Sequence, residues 1–137
     1  MDISKLDQKI KPSGTMAISN KSRELKSQGK PVIGFGAGEP DFPSPDYVVD
    51  AAIKAATDPK NHKYSPAAGL ESLRQIIAKT TKDYSGFEIN SDNVIVSNGG
   101  KQSILTAFLS TLDPGDEVII PAPYWTTYPE AVKIAGG

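Results

Sequence analysis

The sequence predicts an α/β fold in which helices cover a parallel sheet. Short runs rich in branched apolar residues, at 32–35, 94–96 and 117–120, alternate with segments whose apolar residues recur at helical spacing. From residue 94 to 120 the order strand, helix, strand is that of a right-handed crossover between parallel strands. These two observations indicate one piece of a layered α/β protein.

The first segments combine a polar arm with a helix and a strand. Residues 1–30 are rich in lysine, and a helix is predicted over Met16–Gln28, closed by Gly29. Val32–Phe35 is predicted to be a short strand. The glycines and prolines of Gly36–Pro43 then predict an irregular loop.

Two helices follow this loop. A helix over about 45–57 is predicted to begin with Ser44 as the N-cap and Pro45 at the first helical position. The next helix is marked by apolar residues on one face and is ended by Gly86; these residues are Leu70, Leu73, Ile77 and Tyr84.

The last third carries the predicted crossover. Val94–Val96 is predicted to be a strand buried on both faces, and 100–112 a well covered helix. Asp113–Asp116 is a predicted turn, Glu117–Ile120 a second buried strand, and Tyr128–Ala135 the start of a further helix.

Composition excludes several classes of function. The 15 basic and 16 acidic residues give a net charge of -1, so no basic field for nucleic acid or anionic lipid is expected. There is no cysteine and a single histidine, His62, which predicts neither disulfides nor a metal site. The first residues do not resemble a signal peptide, and no apolar run is long enough to span a membrane, so a cytoplasmic protein is expected.

The glycine pair Gly99-Gly100 stands between the predicted strand and helix. A loop that opens a helix points unpaired backbone N–H groups and the positive end of the helix dipole at one place, and glycine lets an anion approach closely. Lys101 and Gln102 follow in the first turn. The pair predicts either a phosphate site or a simple tight turn.

Trp125 follows the next predicted strand, within Pro121–Trp125. Loops at the carboxyl ends of parallel strands open on one edge of the sheet, where ligands bind. An indole at that edge can stack on a flat ring whose phosphate lies on the glycine loop. The alternative is a tryptophan of a core or an interface.

Five motifs, in order, resemble class I pyridoxal-phosphate aminotransferases, and more closely the bacterial aspartate aminotransferase subgroup. The resemblance extends from about residue 11 to the end of the chain. The motifs are Gly38-Glu39-Pro40-Asp41-Phe42, Lys63-Tyr64-Ser65-Pro66-Ala67-Ala68-Gly69, Asn98-Gly99-Gly100-Lys101-Gln102, Asp113-Pro114-Gly115-Asp116 and Pro123-Tyr124-Trp125.

The resemblance implies a pyridoxal 5'-phosphate site. It assigns the cofactor's phosphate to the backbone of Gly99, Gly100, Lys101 and Gln102, and the face of its pyridine ring to Trp125. Tyr64 resembles the tyrosine that reaches the phosphate of the neighbouring subunit, which implies a homodimer. Without the resemblance, Tyr64 would be interpreted as a loop tyrosine that packs its own ring.

On the substrate side, Gly38 resembles the glycine whose backbone lies against the substrate carboxylate; without the resemblance it is a simple turn. The Lys101 ammonium, with Ser13 or Thr15 of the arm, is a candidate for selecting dicarboxylic substrates. The alternative is that this ammonium compensates the phosphate or lies in solvent.

The fold that the resemblance implies is a partial fold type I of the pyridoxal-phosphate-dependent transferases. Residues 1–45 would form the arm and a small-domain segment, and 46–137 the first part of a three-layer α/β/α large domain. The Schiff-base lysine, the acidic partner of the pyridine nitrogen and the arginine for the substrate α-carboxylate are expected downstream, so no catalytic residue is assigned here and the chain alone is expected to be inactive.

The activity implied is transfer of an amino group from an amino acid, aspartate in the first instance, to a 2-oxo acid such as 2-oxoglutarate. Three alternatives remain open. They are an aminotransferase for alanine or aromatic substrates, a lyase or aminocyclopropane-forming enzyme on the same fold, and a non-catalytic α/β binding module.

Overall fold

The computed structural model describes residues 4–137, and helices are its regular elements. The α-helices are α1 (Gly14–Ser27), α2 (Asp46–Thr57), α3 (Glu71–Ser85), α4 (Gly100–Thr111) and α5 (Thr127–Ala135). Short 3₁₀ helices span Asp7–Lys9, Pro59–His62 and Ser91–Asn93. All five predicted α-helices are therefore confirmed.

Three helices begin at other residues than predicted, and for α5 the difference is a single residue, Thr127 instead of Tyr128. The Ser13 hydroxyl accepts the Met16 N–H at 3.4 Å, so α1 begins at Gly14 rather than at Met16. Pro45 has ψ 143°, which is extended, so it precedes α2 instead of forming its first turn. The predicted Ser44 cap is therefore wrong by one residue, and α2 has no side-chain cap.

The three predicted strands are wrong for the residues described. No strand forms at 32–35, 94–96 or 117–120 within residues 4–137. Val94 has extended backbone angles, φ -115° and ψ 128°, but a strand also requires a ladder of hydrogen bonds to a neighbour. These three segments contain residue types that are typical of strands. None of them pairs with a neighbouring strand among the described residues.

Burial on both faces is also wrong for these segments. Val94 is buried, whereas Ile95 is 74% exposed and Ile119 is 93% exposed. Helix α4 is not well covered either, since it has no buried residue and Leu109 is 56% exposed. The buried apolar side chains among residues 4–137 are Ala78, Val94, Ala131 and Val132.

The described residues form two compact units. One contains the described part of Met1–Pro40 together with Gly99–Gly137, and the other is Asp41–Asn98. The domain boundary predicted between residues 45 and 46 stays a prediction.

In the unit Asp41–Asn98, Arg74 of α3 fixes the segment before residue 94. Its half-buried guanidinium donates to the carbonyl of Ser91 at 2.6 and 3.0 Å and to that of Val94 at 3.0 Å. It also pairs with Glu71 at 3.1 Å and with Asp92 at 3.3 Å. One planar donor group thus holds several acceptors, which a lysine could not do.

In the other unit, α4 packs against α5. The predicted turn at Asp113–Asp116 is confirmed, with the Asp116 N–H donating to the Asp113 carbonyl at 3.1 Å. Gly115 donates its N–H to the Gly136 carbonyl at 2.9 Å, which ties this turn to the end of α5. The packing fixes where the N-terminus of α4 lies relative to α5.

Candidate functional site

The glycine pair forms the N-terminus of α4. Gly99 has φ +88°, a backbone conformation that disfavours residues with a Cβ, and it caps the helix that Gly100 begins. No atom lies within 4 Å of where a Cβ would stand at either glycine. No side chain from a distant part of the described residues therefore packs against these two glycines at their Cβ positions.

The backbone amides at this end differ in whether they have an acceptor within the helix. The Gly99 carbonyl accepts the N–H of Gln102 at 3.1 Å and that of Ser103 at 3.3 Å. The amides of Gly100 and Lys101 precede these, at the position where helical N–H groups lack an acceptor within the helix. The positive end of the helix dipole adds to their attraction for a negative charge.

A cavity of about 530 Å³ opens beside the first turns of α4. It is formed by the arm, the start of α1, α4 and α5, all in one compact unit. Its lining residues are Lys11, Pro12, Ser13, Gly14, Lys101, Leu105, Tyr124, Thr126, Thr127, Pro129, Glu130, Ala131, Lys133 and Ile134.

The cavity brings together two of the residues predicted for substrate binding. Ser13 and Lys101 both line it, although they lie far apart in sequence. Thr15, on the exposed first turn of α1, is not among its lining residues. The Lys101 ammonium is in no ion pair among the pairs found within residues 4–137.

The charge of the cavity is positive. Three lysines and one glutamate line it, and Glu130 is paired with Lys133 at 2.8 Å. The Lys133 ammonium and the Lys11 N–H, which donate to the Glu130 carboxylate, hold the pKa of Glu130 below its ordinary value. Glu130 is therefore ionised at neutral pH, and the remaining charge favours an anionic ligand.

Trp125 lies in an apolar groove of about 540 Å³. Its ring meets that of Tyr128 edge to face, with centroids 5.7 Å apart and planes at 88°. Trp125 is 43% exposed, so part of the indole is open to a ligand. The other lining residues are Phe108, Val118, Ile119, Ile120, Pro121, Pro123 and Tyr124.

Gly38 and Tyr64 lie in exposed loops. Gly38 has no atom within 4 Å of a Cβ position, so no close packing accounts for a glycine there. Tyr64 is fully exposed and follows the 3₁₀ helix Pro59–His62 in the unit Asp41–Asn98. A tyrosine with its whole ring in solvent does not pack within its own loop, contrary to the alternative interpretation.

Three charged residues of the cavity were missed from the sequence. They are Lys11, Glu130 and Lys133. Glu130 and Lys133 stand three residues apart on a predicted helix, a spacing that places them on one face, but such pairs are common on exposed helices. Only the folded structure shows that this pair lies beside the amino-terminal arm.

Residues 4–137 contain neither a membrane-spanning helix nor a cluster of metal-binding side chains. None of the helices there is long and apolar enough to cross a membrane. No group of three or more histidine, aspartate or glutamate side chains in this part of the chain could hold a metal ion.

The chain belongs to the family aminotransferase class I and II, whose sequence model matches residues 30–137. Among curated proteins, it is 59% identical over 128 residues to an aspartate aminotransferase of Streptomyces avermitilis, covering 93% of this chain and 31% of that protein. It is 47% identical to the aspartate aminotransferase of Geobacillus stearothermophilus over 137 residues, which is all of this chain and 35% of that protein.

A solved aspartate aminotransferase of Thermus thermophilus with maleate is also similar. Its TM-score is 0.94 at 42% identity, covering all of this chain and 36% of that one. This likeness confirms the predicted fold class, a partial fold type I aminotransferase chain, even though the strand ladders are absent from the described residues. The chain spans about a third of the length of these three proteins.

Proposed function

We propose that this chain is the amino-terminal part of a pyridoxal-phosphate-dependent aminotransferase that moves the amino group of aspartate to a 2-oxo acid, with 2-oxoglutarate as the acceptor. The observation that carries the proposal is that Ser13 and Lys101 line one positively charged cavity beside the open N-terminus of α4. Membership of the aminotransferase family supplies the reaction class.

The residues fit the cofactor that this reaction needs. The amides of Gly100 and Lys101 would hold its phosphate, since nothing distant in the chain packs against Gly99 or Gly100 at their Cβ positions. The open part of the Trp125 indole would stack on its ring. When bound, pyridoxal phosphate supplies an electron sink at the substrate's α-carbon. The geometry supports Gln102 less well as a phosphate ligand, because its backbone N–H already donates to the Gly99 carbonyl.

Dicarboxylic substrates are supported by the charge of the cavity. The Lys101 ammonium would attract the distal carboxylate, and the Ser13 hydroxyl would donate to it. The similar Thermus thermophilus structure was determined with maleate, itself a dicarboxylate. Gly38 and Thr15 are further candidates for this role.

We extend the proposal to a cytoplasmic homodimer, in which Tyr64 reaches the phosphate bound by the partner subunit. A fully exposed ring is available for such a contact. Neither nucleic acid nor a membrane is a proposed partner, because the net charge of -1 provides no basic field.

The full-length protein that contains this chain provides the test. Added pyridoxal phosphate should give a protein-bound absorbance band in the visible or near-ultraviolet range, and aspartate with 2-oxoglutarate should yield oxaloacetate and glutamate. Binding of the cofactor without turnover of aspartate, but with turnover of alanine or phenylalanine, would replace the proposed substrate. Absence of any bound cofactor would overturn the proposal.

A further inference from the structure

Glu130 of α5 joins the amino-terminal arm to the wall of the cavity. Its Oε2 accepts the backbone N–H of Lys11 at 2.9 Å, although the two residues are 119 positions apart in sequence. Both belong to the same compact unit. This contact is made to the backbone of the arm, so it fixes the path of the chain rather than one mobile side chain.

The other carboxylate oxygen is also occupied. Lys133, one turn further along α5, donates its ammonium to Oε1 of Glu130 at 2.8 Å. The Glu130 side chain is 23% exposed and that of Lys133 is 35% exposed, so the pair is partly shielded from water. A charge-assisted hydrogen bond in such a place is stronger than one between neutral groups.

The position of the arm at Lys11 determines the position of Ser13. Ser13 stands two residues further along the chain, lines the cavity with Lys101 and caps α1 through its hydroxyl. Two residues allow little freedom between a fixed amide and the helix cap. By fixing the position of Lys11, Glu130 therefore also fixes the positions of Ser13 and of the first turn of α1.

We propose that Glu130 is a positioning residue, which holds the arm so that Ser13 faces the same ligand as Lys101. Lys133 has a different role. Its ammonium neutralises the charge of Glu130 and so prevents the carboxylate from repelling an anionic substrate. The substrate side of this proposal rests on the proposed aminotransferase function; the holding of the arm does not.

Limited digestion of the full-length protein with trypsin tests the holding of the arm. Cleavage after Lys9 reports release of the arm, because trypsin does not cut efficiently at Lys11, which precedes a proline. Glu130→Ala should speed this cleavage about tenfold, the effect of losing one charge-assisted hydrogen bond. Glu130→Gln keeps an oxygen acceptor for the Lys11 N–H but loses its charge, so it should be cut at a rate between those of wild type and Glu130→Ala.

The matched control is Glu24→Ala. Glu24 also pairs with a lysine three residues away, at 3.0 Å, but on the exposed surface of α1. Glu24→Ala removes the same charge, and its side-chain partners are Lys21 and Gln28 rather than residues near Lys11, so its cleavage rate after Lys9 should equal that of wild type. If Glu130→Ala unfolds the protein, Glu130→Asp replaces it: this variant keeps the charge but shortens the side chain, and should be cut at an intermediate rate.

Kinetics with aspartate separate the two proposals. Glu130→Ala should raise KM for aspartate severalfold with little change in kcat and in the absorbance of bound cofactor, and the rise should be smaller in Glu130→Gln. Equal cleavage after Lys9 in wild type, Glu130→Ala and Glu130→Asp would overturn the positioning role whatever the kinetics show. Absence of turnover in wild type, with faster cleavage in Glu130→Ala, would instead overturn the proposed function alone.

Discussion

Gly69 and Val96 touch so closely that Gly69 has no room for a side chain. A Cβ at Gly69 would stand 2.7 Å from the Cβ of Val96, and the Gly69 backbone has φ +99°, which L side chains rarely adopt. Beside this contact, the Val96 N–H donates to the Ala68 carbonyl at 2.9 Å. The loop that carries Tyr64 is thereby fixed to the segment that leads to the glycine pair.

Gly69→Ala should therefore destabilise the protein. Left-handed strain and overpacking against Val96 together predict a loss of about 2 to 4 kcal/mol in the free energy of unfolding. Urea unfolding of the full-length protein measures it. Gly14→Ala is the control, since nothing lies within 4 Å of its Cβ position and it stands in a helix, where alanine is favoured. Equal stability of the two variants would contradict the close contact.

Trp125 should act through the face of its ring. In the full-length protein, Trp125→Phe should retain most cofactor affinity, whereas Trp125→Ala should lose about 1 to 3 kcal/mol, the range measured for aromatic stacking on bases. Fluorescence or absorbance titration with pyridoxal phosphate gives the affinities. Negligible effects of both substitutions would assign Trp125 to packing with Tyr128 alone.

Lys101→Ser should lower selectivity for dicarboxylic substrates. Loss of the ammonium predicts a fall of about tenfold or more in kcat/KM for aspartate, near 1.4 kcal/mol, with a smaller effect on alanine or phenylalanine. Steady-state kinetics with both substrate types check this. Parallel losses would mean that Lys101 acts on the shared cofactor, which would end the selectivity hypothesis.

The carboxyl of Glu71 should make the free energy of unfolding depend on pH in the acid range. The Ser91 hydroxyl, which donates to it at 2.8 Å, lowers its pKa from the ordinary 4.5, with smaller contributions from Gln75 and Arg74. When a carboxyl has a lower pKa in the folded state than in the unfolded state, it makes its full contribution to the stability of the protein above the unfolded-state pKa. The stability lost in Glu71→Gln should be constant above about pH 5.5 and should shrink as the pH falls through 4.5 toward the lowered pKa.

Thermal unfolding of wild type and Glu71→Gln between pH 3 and 7 would show this dependence. A difference in stability that stays constant over the whole range, or that grows in acid, would contradict the role of the ionised carboxylate.

The 137-residue chain alone should unfold without a sharp transition and should bind a hydrophobic dye. Its extended segments leave large apolar side chains in water, with Ile33 80%, Phe35 92% and Ile119 93% exposed. Unpaired extended edges of this kind favour association rather than a stable monomer. Circular dichroism on heating checks this, and a sharp cooperative transition with turnover of aspartate would contradict it.

Local signals predicted the helices well. Gly86, which ends α3 with φ +73°, was correctly predicted as the end of that helix, because a left-handed residue after a helix is encoded by the glycine itself. Gly99 and Gly100 likewise marked the start of α4. The strands failed for the opposite reason: their apolar residues are encoded locally, but the ladder depends on a neighbouring strand, and none is present among residues 4–137.

By itself, the sequence determined where the helices begin and end to within a few residues, the motifs that resemble the aminotransferases, and the glycine pair at the start of α4. These depend on backbone preferences and side-chain types within a few residues of one another. Only the tertiary structure decided that Ser13 shares a cavity with Lys101, and that Glu130 holds the Lys11 backbone at 2.9 Å. The residues of each pair are separated by about 90 to 120 positions in the sequence. No periodicity or local propensity specifies which distant side chain will contact the arm after α4 and α5 have packed together.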